Sequence, residues 1–231
     1  MARVFILGTY NPPATSLLQV DLVRYLSAVG APPAGIVFKT GSIEEGPPNT
    51  VIKITENSVA VPVTDLNDPA TVELIRSLEP DLLVYAGGRD LLRAPLLSTA
   101  RLGCIGGHYG LLPYVRGMST VEWSILLGRH APTVAIQRIG TGIDTGEILM
   151  QARVYLRPGD TFAKIRERSY FMTKIMLAMT AVRLLAGSIE GKVQSAADGR
   201  QYYRMHPLIL RLAEKALVVQ LGNLRHPRRI Y

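Results

Sequence analysis

The chain has 231 residues, of which 48% are hydrophobic and 19% are charged, with 21 glycines and 15 prolines. This composition excludes an intrinsically disordered or fibrous protein, and the length accommodates one domain with a sizeable core and a short appendage. The formal net charge of +8 favours an anionic partner, such as nucleic acid, a phosphorylated metabolite or an acidic cofactor, or else indicates a solvated basic tail.

Cysteine and histidine content and the longest apolar runs exclude several other classes. The single cysteine, Cys104, cannot form an internal disulfide, and the four histidines show no metal-ligand spacing. The first apolar run is too short for a signal peptide. The longest later run, residues 175–187, is interrupted by Arg183 and is shorter than the roughly 20 residues that cross a bilayer. We therefore expect a cytoplasmic protein with no structural metal and no membrane partner.

Short β-branched runs alternate with segments of helical period, which predicts βαβ units and a mostly parallel sheet. The predicted strands are residues 4–7, 35–38, 59–63 and 81–85. A helix is expected between the first two strands and ends near Gly30. Another is expected to begin at Asp68-Pro69, with Asp68 as the N-cap and Pro69 at the first helical position. This order of elements predicts a doubly wound α/β fold.

The remaining segments divide the chain into a domain and an extension. Residues 40–57 have no clear period and indicate a long surface loop or a poorly ordered hairpin. We expect residues 1–187 to form the main domain and residues 188–231 to form an extension with one helix, over residues 207–221, and a basic tail. The apolar stripe of that helix predicts packing on the domain or on a second subunit, which leaves a homodimer open.

Two later segments carry residues suited to chemistry. In residues 101–117 a strand is expected to end near Ile105, before a glycine pair and His108. In residues 136–149, Asp144 lies on a glycine-flanked loop between two apolar strands. Ligands of open parallel sheets bind where the strands end, so we expect both residues at that edge.

Each of these residues by itself also suits a structural role, since Asp144 is a good turn residue. Their joint appearance at strand ends favours a functional role for both residues. A carboxylate beside an imidazole orients the ring and favours its protonated form, which gives an acid or base that works near neutral pH. The sequence therefore predicts that His108 and Asp144 act as a chemical pair.

Three motifs in order resemble the folate-dependent formyltransferases. They are His108-Tyr-Gly-Leu-Leu-Pro-Tyr-Val-Arg-Gly, Trp123-Ser-Ile-Leu-Leu-Gly and Gly142-Ile-Asp-Thr-Gly-Glu-Ile-Leu. The motifs lie within residues 80–150, and the similarity in element order covers residues 1–187. The family includes glycinamide ribonucleotide, methionyl-tRNA and sugar-nucleotide formyltransferases, and the last two are the more similar here. The resemblance implies a Rossmann-like domain that binds 10-formyltetrahydrofolate and passes its formyl group to an amine.

The resemblance also implies roles for individual residues. His108 would manage protons at the tetrahedral intermediate, and Asp144 would orient it or relay protons through water. The loop after residue 85 matches the family's pterin site, although an ordinary strand-to-helix turn is the alternative. The implied cofactor-binding residues are Ala86, Gly87, Gly88, Arg89, Leu91, Leu92, Gly106, Gly140 and Thr141. The implied substrate-binding residues are Tyr109, Gly110, Leu111 and Arg116.

One departure from the family pattern concerns the formyl group directly. The family asparagine, two residues before the histidine, is Gly106 here, and removing one such oxyanion donor typically costs about 10²- to 10³-fold in rate. Three accounts remain open: another donor fills the space, the acceptor is reactive enough without it, or formyl transfer has been lost. The candidate donors are a water and the hydroxyls of Tyr109, Ser119 and Thr120. A second departure is Gln137, where members often carry histidine.

The expected acceptor is a small amine, such as an amino sugar nucleotide or a secondary-metabolite amine. The first loop lacks the glycine-rich phosphate loop expected of a glycinamide ribonucleotide enzyme, and the residues after Gly187 are too few for a tRNA-binding domain, so tRNA is not the expected partner. The pair Tyr202-Tyr203, with Arg200 and Arg204, suits either a nucleotide diphosphate or a solvated turn. Two alternatives stay open: an altered relative that hydrolyses or diverts the one-carbon group, and a non-catalytic folate- or RNA-binding protein.

Overall fold

Strands and helices alternate along the chain as the sequence predicts. The computed structural model describes residues 2–9, 14–39, 52–55, 58–88, 90–195 and 197–225. In chain order the elements are β1 (Val4–Thr9), α1 (Ala14–Ala28), β2 (Pro33–Lys39), β3 (Ile52–Thr55), β4 (Ser58–Val63), α2 (Pro69–Ser77), β5 (Leu82–Tyr85), α3 (Ala94–Leu97), β6 (Cys104–His108), β7 (Val115–Gly117), α4 (Thr120–Leu127), β8 (Thr133–Arg138), β9 (Ile148–Arg153), α5 (Phe162–Leu185), β10 (Arg200–Tyr202) and α6 (Pro207–Arg225).

Within the described ranges, eight strands form one sheet in the order β3-β4-β2-β1-β5-β6-β8-β9. The central pairings, β4 with β2, β2 with β1, β1 with β5 and β5 with β6, are parallel. The flanking pairings of β3 with β4, β6 with β8 and β8 with β9 are antiparallel. This arrangement confirms the predicted Rossmann-like, doubly wound α/β fold with a mostly parallel sheet.

The strands are apolar on both faces because helices cover both sides of the sheet. On one face, Ile6 and Ile105 pack with Leu177 of α5 and with side chains of α1 and α4. On the other face, Phe5 packs with Leu96 of α3 and with side chains of α2. The alternation of β1 residues between the two cores follows from the two-residue period of a strand.

Local signals placed several boundaries correctly. Asp68 is the N-cap of α2, where its carboxylate accepts hydrogen bonds from the backbone N–H groups of Ala70 and Thr71 at 2.9 and 3.4 Å. Within the segment predicted as a loop or hairpin, residues 52–55 form β3, which pairs antiparallel with β4, and residues 40–51, 56 and 57 lie outside the described residues.

Two boundary expectations were wrong. The strand expected to end near Ile105 continues to His108, because Gly106 and Gly107 pair with β8. The solvated turn considered around Tyr202 is instead the strand β10, which pairs in parallel with β7. The pairing partners lie far away in sequence, so the local pattern carried no sign of them.

The chain after residue 187 lies against the main sheet at several points. Lys192 and Ile148 exchange backbone hydrogen bonds of 2.8 and 2.9 Å, and α6 packs on α4 through Ala213 and Leu217. The predicted basic tail beyond residue 225 lies outside the described residues. No helix in the described ranges is long and apolar enough to span a membrane.

Candidate active site

The central parallel strands end together at one edge of the sheet, where open α/β sheets bind ligands. His108 is the last residue of β6, and Asp144 lies in the loop between β8 and β9. The structure brings these two predicted residues together: Nδ1 of His108 lies 3.3 Å from Oδ2 of Asp144. The order of the strands therefore brings the two side chains into contact, which neither motif could show alone.

The imidazole of His108 is held between two hydrogen-bond acceptors. Besides the Asp144 contact at Nδ1, its Nε2 lies 2.7 Å from the backbone carbonyl oxygen of Val115. Because a carbonyl oxygen only accepts hydrogen bonds, Nε2 carries a proton in this arrangement. His108 is 5% exposed, so solvent has little access to either contact. When Asp144 is ionised, a ring protonated at both nitrogens donates to both neighbours.

A glycine lets the loop after β6 pass close over this ring. A Cβ atom at Gly110 would lie 2.4 Å from the carbonyl oxygen of Val115 and 2.7 Å from Nε2 of His108. Gln151 of β9 fixes the same loop, because its side chain both donates to and accepts from the backbone of Leu112. The position predicted for substrate binding at residue 110 thus adjoins the far side of the imidazole.

Asp144 is held by three groups from three different strands. Its Oδ2 accepts a 2.9 Å hydrogen bond from the Gly117 N–H and faces His108, while its Oδ1 accepts a 2.8 Å bond from Nε2 of Gln137. Burial alone would raise the pKa of the Asp144 carboxyl, but His108, Gly117 and Gln137 together outweigh it and hold that pKa below its usual range. The carboxylate is therefore kept ionised beside the imidazole.

The backbone of the Asp144 loop has its own supports. Asp144 has a left-handed φ of 51°, and a Cβ atom at Gly146 would lie 1.7 Å from the carbonyl oxygen of Arg138. Nε2 of Gln194 donates to the carbonyl oxygens of Asp144 and Gly146 at 3.1 and 2.5 Å. Sequence reasoning missed Gln194 because it follows α5, outside every motif.

The predicted substrate-binding residues do not all face the pair. Arg116 is 7% exposed, and its guanidinium donates to Oε1 of Gln194 and to the carbonyl oxygen of Ser195. Tyr109 turns to the α5 side of β6, where its ring meets that of Tyr170 edge-on at 4.9 Å. Burial, with a smaller effect from Tyr170, raises the pKa of the Tyr109 phenol. Leu111 is half-buried.

The predicted cofactor loop forms one wall of a small cleft, which Ala86 and Gly87 line together with Gly107 and Tyr109. At Gly88, a Cβ atom would lie 2.2 Å from Oη of Tyr85, so this stretch presents backbone rather than side chains.

The other predicted cofactor residues are spread around the edge. Leu92 is 3% exposed and packs in the core with α3, whereas Leu91 is 60% exposed. Gly140 and the exposed Thr141 lie in the loop that leads to Asp144. Arg89 lies outside the described residues.

The space beside Gly106 is occupied by an apolar side chain. A Cβ atom at this position would lie 2.6 Å from Cδ1 of Ile139 and 3.8 Å from Cβ of Tyr85, with no hydroxyl among its nearest neighbours. The hydroxyl of Thr120 donates instead to the carbonyl oxygen of Tyr109, and Ser119 accepts from the N–H of Met205. The room that an asparagine side chain would need is thus filled by Ile139.

A further polar cluster lies at the same edge, at the ends of β1 and β2. Nζ of Lys39 lies 2.7 Å from Oδ1 of Asp90, and the hydroxyl of Thr9 donates to Oδ2 of the same carboxylate at 3.2 Å. The bond to Asp90 raises the pKa of Lys39 although burial opposes it. Sequence reasoning missed this cluster because its members come from three separate segments.

A broader, open depression lies at the opposite, amino edge of the sheet. It is lined by charged residues that are already paired, including Arg101, whose guanidinium lies 2.8 Å from Asp81. The backbone N–H of Arg3, followed by Arg101, holds the pKa of Asp81 below its usual range. Because parallel strands bind ligands at their carboxyl ends, this depression is not the candidate site.

Comparison with known proteins agrees with the geometry at the carboxyl edge. The model of the formyl transferase family matches residues 29–180, more than half of the chain and the region that contains His108 and Asp144. The chain belongs to the formyl transferase family.

Within the formyl transferase family, the methionyl-tRNA formyltransferase of Syntrophus aciditrophicus is 34% identical over 137 residues. The match covers 58% of this chain and 44% of that protein. The chain spans about half the length of the curated relatives it matches.

Solved structures of formyltransferases share the fold. A formyltransferase from Anoxybacillus kamchatkensis, in complex with UDP-4,6-dideoxy-4-formamido-L-AltNAc and tetrahydrofolate, has a TM-score of 0.60 at 18% identity, covering 87% of this chain and 86% of that one. An N-formyltransferase from Helicobacter canadensis, in complex with folinic acid and dTDP-3-aminofucose, has a TM-score of 0.63 at 14% identity, covering 94% of this chain and 81% of that one. At these identities the likeness establishes the fold alone.

Proposed function

We propose that this member of the formyl transferase family is an N-formyltransferase that moves a formyl group from 10-formyltetrahydrofolate to a small amine. The observation that carries the proposal is the His108–Asp144 pair, with Nδ1 and Oδ2 3.3 Å apart at the carboxyl edge of the sheet. Residues 1–187 form the catalytic domain in this proposal, and residues 188–231 form an extension that buttresses it through Gln194 and α6.

The chemistry needs a group that handles protons. An amine that attacks a formyl carbon must lose a proton, and the departing folate nitrogen must gain one. The His108 side chain is 6% exposed and that of Asp144 is 20% exposed, so the carboxylate is the more accessible member of the pair. His108 thus stores the proton, and Asp144 keeps the ring oriented and exchanges protons with water.

The residues at the edge fit a flat, polar cosubstrate. Gly88 is exposed and Gly87 and Gly140 are half-buried, and these glycines carry no side chains of their own to cover their backbone N–H and C=O groups. Such groups can pair with the ring edges of a pterin, which itself carries donors and acceptors. Formyltransferases with this fold have been solved with tetrahydrofolate and with folinic acid, which supports a folate here. When bound, the folate supplies an activated formyl group.

The acceptor we propose is the amine of an amino sugar nucleotide or of a secondary metabolite. Two family members with this fold were solved with nucleotide-linked amino or formamido sugars. The net charge of +8 suits an acceptor that carries phosphates.

Calorimetry with folinic acid, followed by transfer assays with 10-formyltetrahydrofolate, tests the proposal. We expect folinic acid to bind and tetrahydrofolate to form only when an amino sugar nucleotide or another small amine is present. Release of formate without an amine would instead identify a hydrolase. A protein that binds RNA but does not bind folinic acid would overturn the folate assignment.

A further inference from the structure

The side-chain amide that is missing at residue 106 has a counterpart on the neighbouring strand. In the antiparallel register of β6 and β8, Gly106 pairs with Gln137. Residues directly opposite each other in such a pair extend to the same face of the sheet, about 4.5–5.5 Å apart at Cβ. Gln137 is 2% exposed, so its amide is enclosed on the face of the sheet that carries His108.

The hydrogen bonds of Gln137 fix how this amide is oriented. Its Nε2 lies 2.8 Å from Oδ1 of Asp144. Since an ionised carboxylate only accepts hydrogen bonds, the NH₂ group rather than the oxygen must face it. Oε1 of Gln137 therefore points away from Asp144, and it has no hydrogen-bond partner among the described residues.

An unpaired, buried amide oxygen is unfavourable, and an apolar residue of similar size would avoid it. The local packing therefore does not explain the presence of glutamine. What the glutamine supplies, and an apolar residue cannot, is the N–H that reaches Oδ1 of Asp144. Polar groups that violate packing rules in this way are expected at functional sites.

The bond from Gln137 completes the fixation of the Asp144 carboxylate. The Gly117 N–H holds Oδ2 at 2.9 Å, and Gln137 holds Oδ1 at 2.8 Å. With both oxygens engaged, rotation of the carboxylate plane would break at least one of these bonds, which keeps Oδ2 directed at Nδ1 of His108. Loss of the Gln137 bond would leave Oδ1 without this donor, so that the carboxylate could turn more easily.

We propose that Gln137, which lies opposite Gly106 on β8, is a positioning residue for the His108–Asp144 pair. The catalytic part of this inference rests on the proposed function. The structural part, that Gln137 orients and stabilises the ionised Asp144, holds in the protein without any ligand and is tested there.

The test follows the protonation of Asp144 through the NMR signals of the neighbouring His108 ring, in the full chain and without folate. Gln137→Leu removes the donor, and Gln137→Asn keeps an amide but shortens it by one methylene, out of reach of Oδ1. In both variants we expect the low-pH step of the His108 signal, which reports protonation of Asp144, to move upward by about one pH unit. The matched control is Gln201→Leu, at an exposed glutamine of β10, which leaves the step in place.

The transfer reaction then tests the catalytic part separately. With the acceptor amine that the wild-type protein uses, Gln137→Leu should lower kcat about 10-fold or more with little change in the KM for 10-formyltetrahydrofolate, because orientation and not binding is lost. An unshifted Asp144 step in a folded variant overturns the inference, and Gln137→Asn decides if Gln137→Leu does not fold. A shifted titration in a protein that binds no folate would retain the positioning role while rejecting the proposed function.

Discussion

His108 and Asp144 come from motifs on different strands, yet Nδ1 of the imidazole lies 3.3 Å from Oδ2 of the carboxylate. The carboxylate is fixed by Gly117 and Gln137, and the imidazole is fixed on its other side by Val115. Neither side chain can swing away without breaking a second hydrogen bond. The pair is therefore preorganised in the protein without ligand, which is the condition under which oriented groups accelerate a reaction.

Replacing His108 by alanine should remove the proton-handling group while leaving the fold intact. We expect kcat/KM for formyl transfer to fall by about 10²- to 10⁴-fold, the usual contribution of general acid–base catalysis. A coupled assay of tetrahydrofolate release measures the loss. His206→Ala is the matched control, since His206 is exposed at the start of α6 and should leave the rate unchanged. A His108→Ala protein with wild-type activity would show that the imidazole is structural.

Asp144→Asn should change how stability depends on pH. The pKa of Asp144 is lowered in the folded protein, against about 3.9 in the unfolded chain, so the ionised carboxylate contributes stability at pH values above the unfolded pKa. That contribution is lost as the pH falls through the folded-state pKa. Urea unfolding of both proteins from pH 7 to pH 2 measures it.

The stability difference between wild type and Asp144→Asn is expected to shrink as the pH falls below about 4. Asp198→Asn, at an exposed loop position, serves as the control and should follow the wild-type curve. If the difference between wild type and Asp144→Asn instead grew as the pH fell, the sign of the Asp144 interaction would be wrong.

The sheet and the chemical pair were accessible from sequence because both follow from short-range signals. The apolar runs gave the strands, Asp68-Pro69 gave the start of α2, and the rule that ligands bind at strand ends placed His108 and Asp144 at one edge. The pairing of β6 with β8 extends β6 to His108. Because such pairing depends on residues far away in sequence, the local pattern did not predict it.

The residues that hold the His108–Asp144 pair in place could not be predicted either, because they too reach it from distant parts of the sequence. Gln194 reaches the Asp144 loop from the segment after α5, and Gln137 acquires its meaning only from the register that places it opposite Gly106. The sequence marked Gln137 only as a departure from the family pattern, and nothing local indicated the contacts that either glutamine makes with Asp144 or its loop. The position of Ile139 over Gly106 could not be predicted either, because it depends on how the loop leaves β8.

Gly110→Ala should damage the site through a single added methyl group. The Cβ atom would lie 2.4 Å from the carbonyl oxygen of Val115 and 2.7 Å from Nε2 of His108, and both belong to the framework of the pair. We expect a loss of about 1–3 kcal/mol in the free energy of unfolding, together with reduced activity. Thermal unfolding and the transfer assay measure these effects.

Gly222→Ala is the matched control for this substitution. Gly222 lies in α6, its Cβ would meet no atom within 4 Å, and alanine favours a helix by about 0.5–1 kcal/mol. Its melting temperature should rise slightly with unchanged activity. Equal effects of the two substitutions would mean that residue 110 is not tightly enclosed.

Gly106→Asn restores the family residue, but the structure predicts that it fails by itself. Its Cβ would lie 2.6 Å from Cδ1 of Ile139, and overpacking of this kind typically costs about 1–3 kcal/mol. We therefore expect Gly106→Asn to lower the melting temperature and the rate of transfer. Ile139→Ala removes the obstructing atoms, so the double variant Gly106→Asn/Ile139→Ala should be destabilised by less than the sum of the two single substitutions.

The rate of the double variant, compared with Ile139→Ala alone, then shows what the space beside residue 106 is for. An asparagine that reaches the formyl oxygen supplies an oxyanion donor, and such donors are worth up to about 10²- to 10³-fold in kcat. We expect kcat to rise by about 10-fold or more, since the pair and its supports remain in place. If the stable double variant is no faster than Ile139→Ala, the asparagine amide does not bind the formyl oxygen. The formyl oxygen would then lie elsewhere in the site.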